Sequence, residues 1–299
     1  MKNIIVGFLM SYDYDKLRHS IPPVYNKADK IYIALDHKQR TWKGTHFEID
    51  AEFFEWLTEF DTDKKIEIYK DDFFRSELST IQNDTRERHL LALKMGIGNW
   101  LVQVDSDEIF IDFNQFVATL RKHDRFLDNP KKNPVQIAGF LINIYKYLDE
   151  GLLYVNQPTK VMLATNYPNY KNARNNKERV IYTNNILLHE CLSRDEESLK
   201  FKLENWGHSH QLNDEFFPKW KKANKDNYKE LKNLFYLDPK IWKSLGYFPL
   251  QDLDEINVFV KTEKTLSPSK SFLRKKNFGQ WIKFLKIFKK SKIEFESYF

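Results

Sequence analysis

Over the first hundred residues, apolar positions fall into short unbroken runs separated by segments with helical spacing. The strand-like runs are residues 4–9, 30–35, 65–69 and 100–104. Each of the last three follows a stretch able to form a helix, an alternation that predicts βαβ units around a mainly parallel sheet. Residues 50–60 place Phe53, Phe54, Leu57 and Phe60 on one helical face, with Asp50 as an N-cap candidate. From about residue 83 to 97, Leu90, Leu93 and Ile97 repeat at helical spacing, and Gly96 and Gly98 mark the end.

After residue 110 the pattern changes. A helix is expected through Phe113, Phe116, Val117 and Leu120, followed by a polar loop at 128–134. Strand-like segments at 135–144, 151–155, 160–164 and 180–182 then succeed one another without long helices between them. This predicts a mixed or antiparallel second half. Residues 167–177, Tyr-Pro-Asn-Tyr-Lys-Asn-Ala-Arg-Asn-Asn-Lys, read as an exposed loop.

At 299 residues and 41% hydrophobic content, the chain can bury one large core, or one core with a small appendage. Its single cysteine, Cys191, excludes an intramolecular disulfide framework and a multi-cysteine zinc site. The apolar run at the N-terminus is short, lacks a small-residue cleavage site and reads as a core strand rather than a signal peptide. No stretch approaches the ~20 apolar residues of a membrane span. A cytoplasmic protein, soluble or peripheral on the inner face of the membrane, is expected. The formal charge of +6 is unevenly spread: basic residues crowd with Trp281, Ile282, Phe284, Leu285 and Phe288 over 270–292.

The most informative chemistry lies in Asn99-Trp-Leu-Val-Gln-Val-Asp-Ser-Asp-Glu-Ile-Phe110, an apolar strand ending in Asp105, Asp107 and Glu108. Open α/β sheets bind ligands at the carboxyl ends of their strands, and carboxylates suit Mg²⁺ or Mn²⁺ carrying a nucleotide diphosphate. If the strand continues, Asp105 and Asp107 share a direction and Ser106 points away. An acid-rich strand end also arises as the cap of a following helix.

This motif, preceded by Gln82-Asn-Asp-Thr-Arg-Glu-Arg-His-Leu-Leu-Ala-Leu-Lys-Met95, resembles glycosyltransferases of the GT-A fold, most closely the family 2-like group. The resemblance covers residues 1 to about 215 and is strongest between 82 and 110. It implies a Rossmann-like α/β domain with a mixed, mainly parallel sheet flanked by helices. A nucleotide-binding half (1–110) and an acceptor-side half (111–215) would precede a helical C-terminal extension (216–299). It further implies that Asp36 meets the nucleoside base or ribose, and that Asp105 meets the ribose or the metal's surroundings. Asp107 would ligate the metal, Arg86 or Arg88 would reach phosphate or ribose, and Ser106 would belong to the donor site. The acidic residue expected after the first strand is not evident, with only Asp13 or Asp15 on offer.

A second constellation spans Leu187-Leu-His-Glu-Cys-Leu-Ser-Arg-Asp195 and Asn205-Trp-Gly-His-Ser-His-Gln211. Imidazole ligates Mn²⁺ as well as Zn²⁺, and the spacing of His208 and His210 lets both face one side of an extended segment. One of the two is the expected third metal ligand; the alternative is a structural histidine beside Trp206. An inverting transferase needs a carboxylate base for the acceptor hydroxyl. Glu190 is the first candidate because it ends a short apolar strand, with Asp195 and Glu196 next. Cys191 reads as a buried, inert thiol. No Gly-rich phosphate loop supports ATPase or nicotinamide chemistry.

The expected function is a Mn²⁺- or Mg²⁺-dependent, inverting transfer of sugar from a nucleotide-sugar donor to a carbohydrate or lipid-linked acceptor, in surface polysaccharide assembly. A sugar-phosphate nucleotidyltransferase, a metallohydrolase and a non-catalytic peripheral membrane protein are the rivals. The basic amphipathic stretch 270–292 could lie on an anionic membrane surface or dock on the domain with its lysines in water. Nucleic acid is not expected as a partner, because the basic patch lacks a recognisable binding module.

Overall fold

The computed structural model describes residues 2–205, 212–238, 241–249 and 253–285. Four strands, β1 (Ile4–Leu9), β2 (Lys30–Asp36), β3 (Ile66–Asp71) and β4 (Trp100–Asp105), run parallel in the order β3-β2-β1-β4. Between them lie two short helices, α1 (Leu17–Ser20) and α2 (Pro22–Tyr25), and two longer ones, α3 (Ala51–Phe60) and α4 (Thr80–Met95). This half is Rossmann-like in its crossovers.

All six β1 residues are buried, as expected of a parallel strand covered on both faces. Ile4, Val6 and Phe8 enter the core that includes Phe53 and Leu57 of α3, while Ile5 and Leu9 pack with Leu91, Ala92 and Met95 of α4. Gly7 lets α4 approach β1 closely: a Cβ there would stand 2.8 Å from Met95 Sδ and 2.9 Å from Leu91 Cδ2. Ser79 and Gln82 form a capping box at the start of α4, and Gly96, at φ 89°, ends it. Asp50 precedes α3 in an extended conformation but makes no cap bond; its carboxylate accepts from the Tyr14 hydroxyl at 2.6 Å.

Beyond β4 the chain forms β5 (Glu108–Phe110), α5 (Phe113–Arg121), β6 (Val135–Leu148), β7 (Gly151–Val155), β8 (Thr159–Thr165) and β9 (Arg179–His189). Next come α6 (Glu196–Asn205), α7 (Phe216–Lys222), β10 (Leu245–Phe248), α8 (Leu253–Thr262) and α9 (Lys270–Lys283). The sheet continues β4-β8-β6-β7-β10, and β9 pairs with both β5 and β6. Every one of these joins is antiparallel except β6 with β9. The mixed sheet with a mixed or antiparallel second half expected from the sequence is thus present; what differs is that parallel pairing prevails only through the first four strands. Connections as short as that between β6 and β7 can only close antiparallel neighbours.

The region expected as a helical extension also supplies a strand, because β10 pairs with β7. Phe216, Trp220, Tyr236 and Trp242 form a second core there with Tyr145 and Leu153. The loop expected to be exposed at 167–177 is instead tied down. Ala173 N donates to Thr85 Oγ1 at 2.8 Å, the Arg174 carbonyl accepts from Gln136 Nε2 at 2.6 Å, and Asn176 is buried. Buried amide and hydroxyl side chains satisfy its backbone where a strand ladder does not. Among the described residues no helix is long and apolar enough to cross a membrane.

Candidate functional site

A cleft of about 190 Å³ opens at the carboxyl ends of β1, β2 and β4. It receives Asp13 from the segment after β1, Asp36 from β2, Asp105 and Asp107 from the end of β4, and Asp84, Glu87 and Arg88 from α4. His189, Cys191 and Lys202 reach it from β9 and α6, and Arg174 from the anchored loop.

Asp105 ends β4. Its carboxylate lies 2.8 Å from Arg88 Nη2 and 3.7 Å from Arg174 Nη2, and 29% of the side chain stays exposed, so it is open to a ligand. Burial would raise its pKa, but Arg88 and Arg174 hold it below the usual carboxylate value. Arg88 is itself buried, and among the described residues its Nη1 has no hydrogen-bond partner, which leaves a spare donor beside the cleft that Arg88 lines.

Asp107 is buried and held between charges. Oδ2 accepts from Arg194 Nη2 at 2.9 Å and from Lys202 Nζ, while Oδ1 lies 3.6 Å from His189 Nε2. Against the opposing effect of burial, Lys202, His189 and Arg194 keep this carboxyl well below its ordinary pKa, so it is ionised. His189 sits opposite Glu108 in the β5–β9 pairing, and its Nδ1 is 2.7 Å from Asn143 Oδ1. Burial favours the neutral ring, but Cys191 and Asp107 together push its pKa up to about 10. Ligand atoms of Asp107, His189 and Cys191 lie within 4.8 Å of one another, a group able to hold a metal ion.

The acid after β1 is Asp13. It accepts from Ser106 Oγ at 2.8 Å and from Arg194 Nη2 at 2.9 Å, whereas Asp15 makes an exposed pair with Arg18. β4 stops at Asp105, so Ser106 lies in the turn that follows rather than on the far face of a continued strand; it is a buried link between two loops and lines the cleft. Glu87 accepts from Trp42 Nε1 at 2.6 Å, and burial raises its pKa to about 8.

Several expected site residues have other partners. Asp36 borders the cleft, but its two oxygens accept from Arg40 Nε and Nη2 at 2.9 Å and from the amides of Lys38, Arg40, Phe73 and Phe74. Those bonds outweigh burial and lower its pKa. It organises the turns after β2 and β3, with its lone pairs already engaged. Arg86 lies outside the cleft and donates to the carbonyls of Asp72 and Phe73, both at 2.8 Å.

Glu190 is not in the cleft either. His189 and Cys191 face it, so the residue between them turns to the opposite side. There Glu190 accepts from Tyr147 Oη at 2.5 Å and Lys16 Nζ at 3.0 Å, with His19 Nδ1 at 3.7 Å. Burial works against ionisation, yet His19, Lys16 and Tyr147 lower its pKa to about 2, too acidic for a proton acceptor near neutrality. Asp195 caps α6, accepting from Ser198 N at 2.8 Å, and Glu196 is exposed beside Lys200 and Lys221. None of these three carboxylates lines the cleft. His208 and His210 lie outside the described residues.

Arg194, Lys202 and Arg174 were not singled out from the sequence. A lysine in a polar helix and an arginine in an Asn-rich loop carry no local mark of burial. His189 and Cys191 carried one, the period-two continuation of the strand through Leu187.

No family model matches this sequence, and no curated protein matches it. Among solved structures, a crystal structure of TarS 1-349 from S. aureus is similar over 46% of this chain and 35% of that one, at 12% identity and a TM-score of 0.28. Mannose-6-phosphate isomerase from Helicobacter pylori is similar over 52% of this chain and 56% of that one, at 15% identity and a TM-score of 0.31. The chain thus spans about a third and about half of the lengths of these two proteins.

Proposed function

We propose that the cleft binds a nucleotide-sugar donor with a divalent ion and transfers its sugar to a carbohydrate or lipid-linked acceptor. The observation that carries this reading is the donor group of Asp107, His189 and Cys191 beside the open carboxylate of Asp105, at the ligand-binding edge of a Rossmann-like sheet. The sequence motif that resembles family 2-like glycosyltransferases supplies the same two aspartates.

The donor set fits Mn²⁺ better than Mg²⁺. Imidazole suits transition ions, whereas Mg²⁺ prefers oxygen ligands throughout. Asp107 and His189 would hold the ion, the ring giving up the Nε2 proton that its raised pKa retains in the free protein, with Asp105 toward the nucleotide. When bound, the ion would supply positive charge against the diphosphate that leaves as the sugar departs.

The chain adds fixed charge of its own. Lys202 and Arg194 keep Asp107 ionised, both closing on Oδ2 while His189 faces Oδ1. Arg88, which lines the cleft, pairs with Asp105, and its buried Nη1 has no hydrogen-bond partner among the described residues. A volume of about 190 Å³ is below the ~300–1,000 Å³ of typical ligand sites, so a nucleotide sugar would fill the cleft and extend from its mouth.

Calorimetry with UDP-, GDP- and dTDP-sugars, with and without Mn²⁺, tests the reading. Mn²⁺-dependent binding of one donor, lost in Asp105→Ala at a temperature where circular dichroism shows the variant still folded, is the expected result. Absence of metal-dependent nucleotide binding by the wild-type protein would remove it.

A further inference from the structure

α9 docks on the sheet by an unusual face. Its half-buried positions Leu273, Asn277, Gln280 and Phe284 follow one helical stripe toward β9. Two of the four are amides, and they act as a substitute strand. Asn277 Oδ1 accepts from Tyr182 N at 2.8 Å, Asn277 Nδ2 donates to Tyr182 O at 2.8 Å, and Gln280 Oε1 accepts from Val180 N at 3.0 Å. At Val180 and Tyr182, before β5 takes up pairing with β9, side-chain amides thus stand in for a neighbouring strand.

Spending amides on docking leaves the apolar residues outside. Phe278, Trp281 and Ile282, at i, i+3 and i+4, are 61%, 49% and 39% exposed. Phe278 and Trp281 stack on each other with centroids 5.9 Å apart, so the pair presents one continuous aromatic surface. Lys270, Arg274, Lys275, Lys276 and Lys283 share the helix with it, and no acidic residue occurs between Glu263 and Glu294 in the sequence. A ring pair of this size kept in water on a helix whose charged residues are all basic has two complementary needs, an apolar phase and negative charge.

We propose that α9 is a membrane-docking helix whose Phe278–Trp281–Ile282 stripe enters the interface of an anionic bilayer while the helix's lysines and Arg274 meet lipid phosphates. An anionic lipid surface answers both needs in one plane, which a helix lying flat can reach. Duplex nucleic acid would answer the charge alone. Aromatic and basic side chains at this depth are the usual anchors of interfacial helices. The inference is independent of the reaction carried out in the cleft.

The test uses the full chain with vesicles of phosphatidylcholine alone or mixed with phosphatidylglycerol, read by co-sedimentation. Binding to the anionic vesicles, absent with the neutral ones and weakened by salt, is expected. Phe278→Ser/Trp281→Ser should bind at least ~10-fold more weakly. Arg274→Gln/Lys275→Gln should lose about 30-fold, the effect of two interfacial charges. Both doubles should keep the wild-type thermal midpoint, since these side chains lie outside the docked stripe. The proposal is overturned if anionic vesicles leave the wild-type protein in the supernatant, or if the aromatic double binds them as the wild type does. Tighter binding to mixed-sequence duplex DNA than to vesicles would likewise overturn it in favour of nucleic acid.

Discussion

Asp107 and Arg194, 87 residues apart in the chain, meet at 2.9 Å, and Lys202 closes on the same carboxylate oxygen. The aspartate proposed to offer Oδ1 to a metal ion is therefore also the counter-charge of two buried cations. Its replacement has a structural cost separate from any loss of binding. Asp107→Ala should destabilise the fold by ~3–5 kcal/mol, since among the described residues Lys202 and Arg194 would keep Asp13 alone as a carboxylate partner. Urea unfolding midpoints would check this, and a change of less than about 1 kcal/mol would mean that the buried triad contributes little.

Removal of metal should separate the role of the ion from that of the fixed cations. After chelation and dialysis, nucleotide-sugar affinity should fall about 10-fold or more, and Mn²⁺ should restore it at lower concentration than Mg²⁺. Titration calorimetry of the stripped protein reads both effects. Equal restoration by the two ions would place the ion on oxygen ligands alone and take His189 out of the site.

Glu87 makes stability fall as pH rises. Its carboxyl titrates ordinarily at 4.5 and is raised by burial to about 8, so the folded protein holds a proton that the unfolded chain has released. The stabilisation is full below 4.5 and declines as pH climbs to about 8. Glu87→Gln preserves a neutral acceptor for Trp42 and should flatten the decline, with a gain on the order of 2 kcal/mol or more above pH 8. Thermal midpoints measured from pH 5 to pH 9 would reveal it; parallel curves for both proteins would refute the assignment.

Glu190 gives the opposite trend. Held at about 2 by His19, Lys16 and Tyr147 against an ordinary 4.5, it adds stability above 4.5 that is lost as pH falls toward 2. Glu190→Gln should cost on the order of 3 kcal/mol at pH 7 and leave donor affinity within about twofold. A large drop in donor affinity with unchanged stability would return this residue to the active site.

Gly7→Ala should lower stability by ~1–3 kcal/mol, because the added methyl meets Met95 and Leu91 where α4 lies on β1. The same shift would move Glu87 and Arg88 of α4 relative to Asp105, so donor affinity should weaken along with the thermal midpoint. A variant as stable as the wild type would mean that Met95 swings aside.

The local pattern carried most of the architecture. The first strand, the α3 face through Phe53 and Leu57, and the run ending at Asp105 are readable because a buried parallel strand needs an unbroken apolar run and a surface helix needs a stripe. The order of the sheet and the anchoring of 167–177 were not readable. Gln136 and Thr85, which hold that loop, lie far from it in sequence and look like ordinary polar positions.

The site divides in the same way. Asp105 and Asp107 announce themselves because carboxylates at the end of an apolar strand have a place determined by that strand. The sequence by itself thus determined which backbone would carry acid to the ligand-binding edge. Only the tertiary structure decided that His189, Cys191, Lys202 and Arg194 surround Asp107, and that Glu190 turns away toward Lys16 and Tyr147. A charge is placed by the partners that close on it from distant parts of the chain, and those encounters have no period along the sequence.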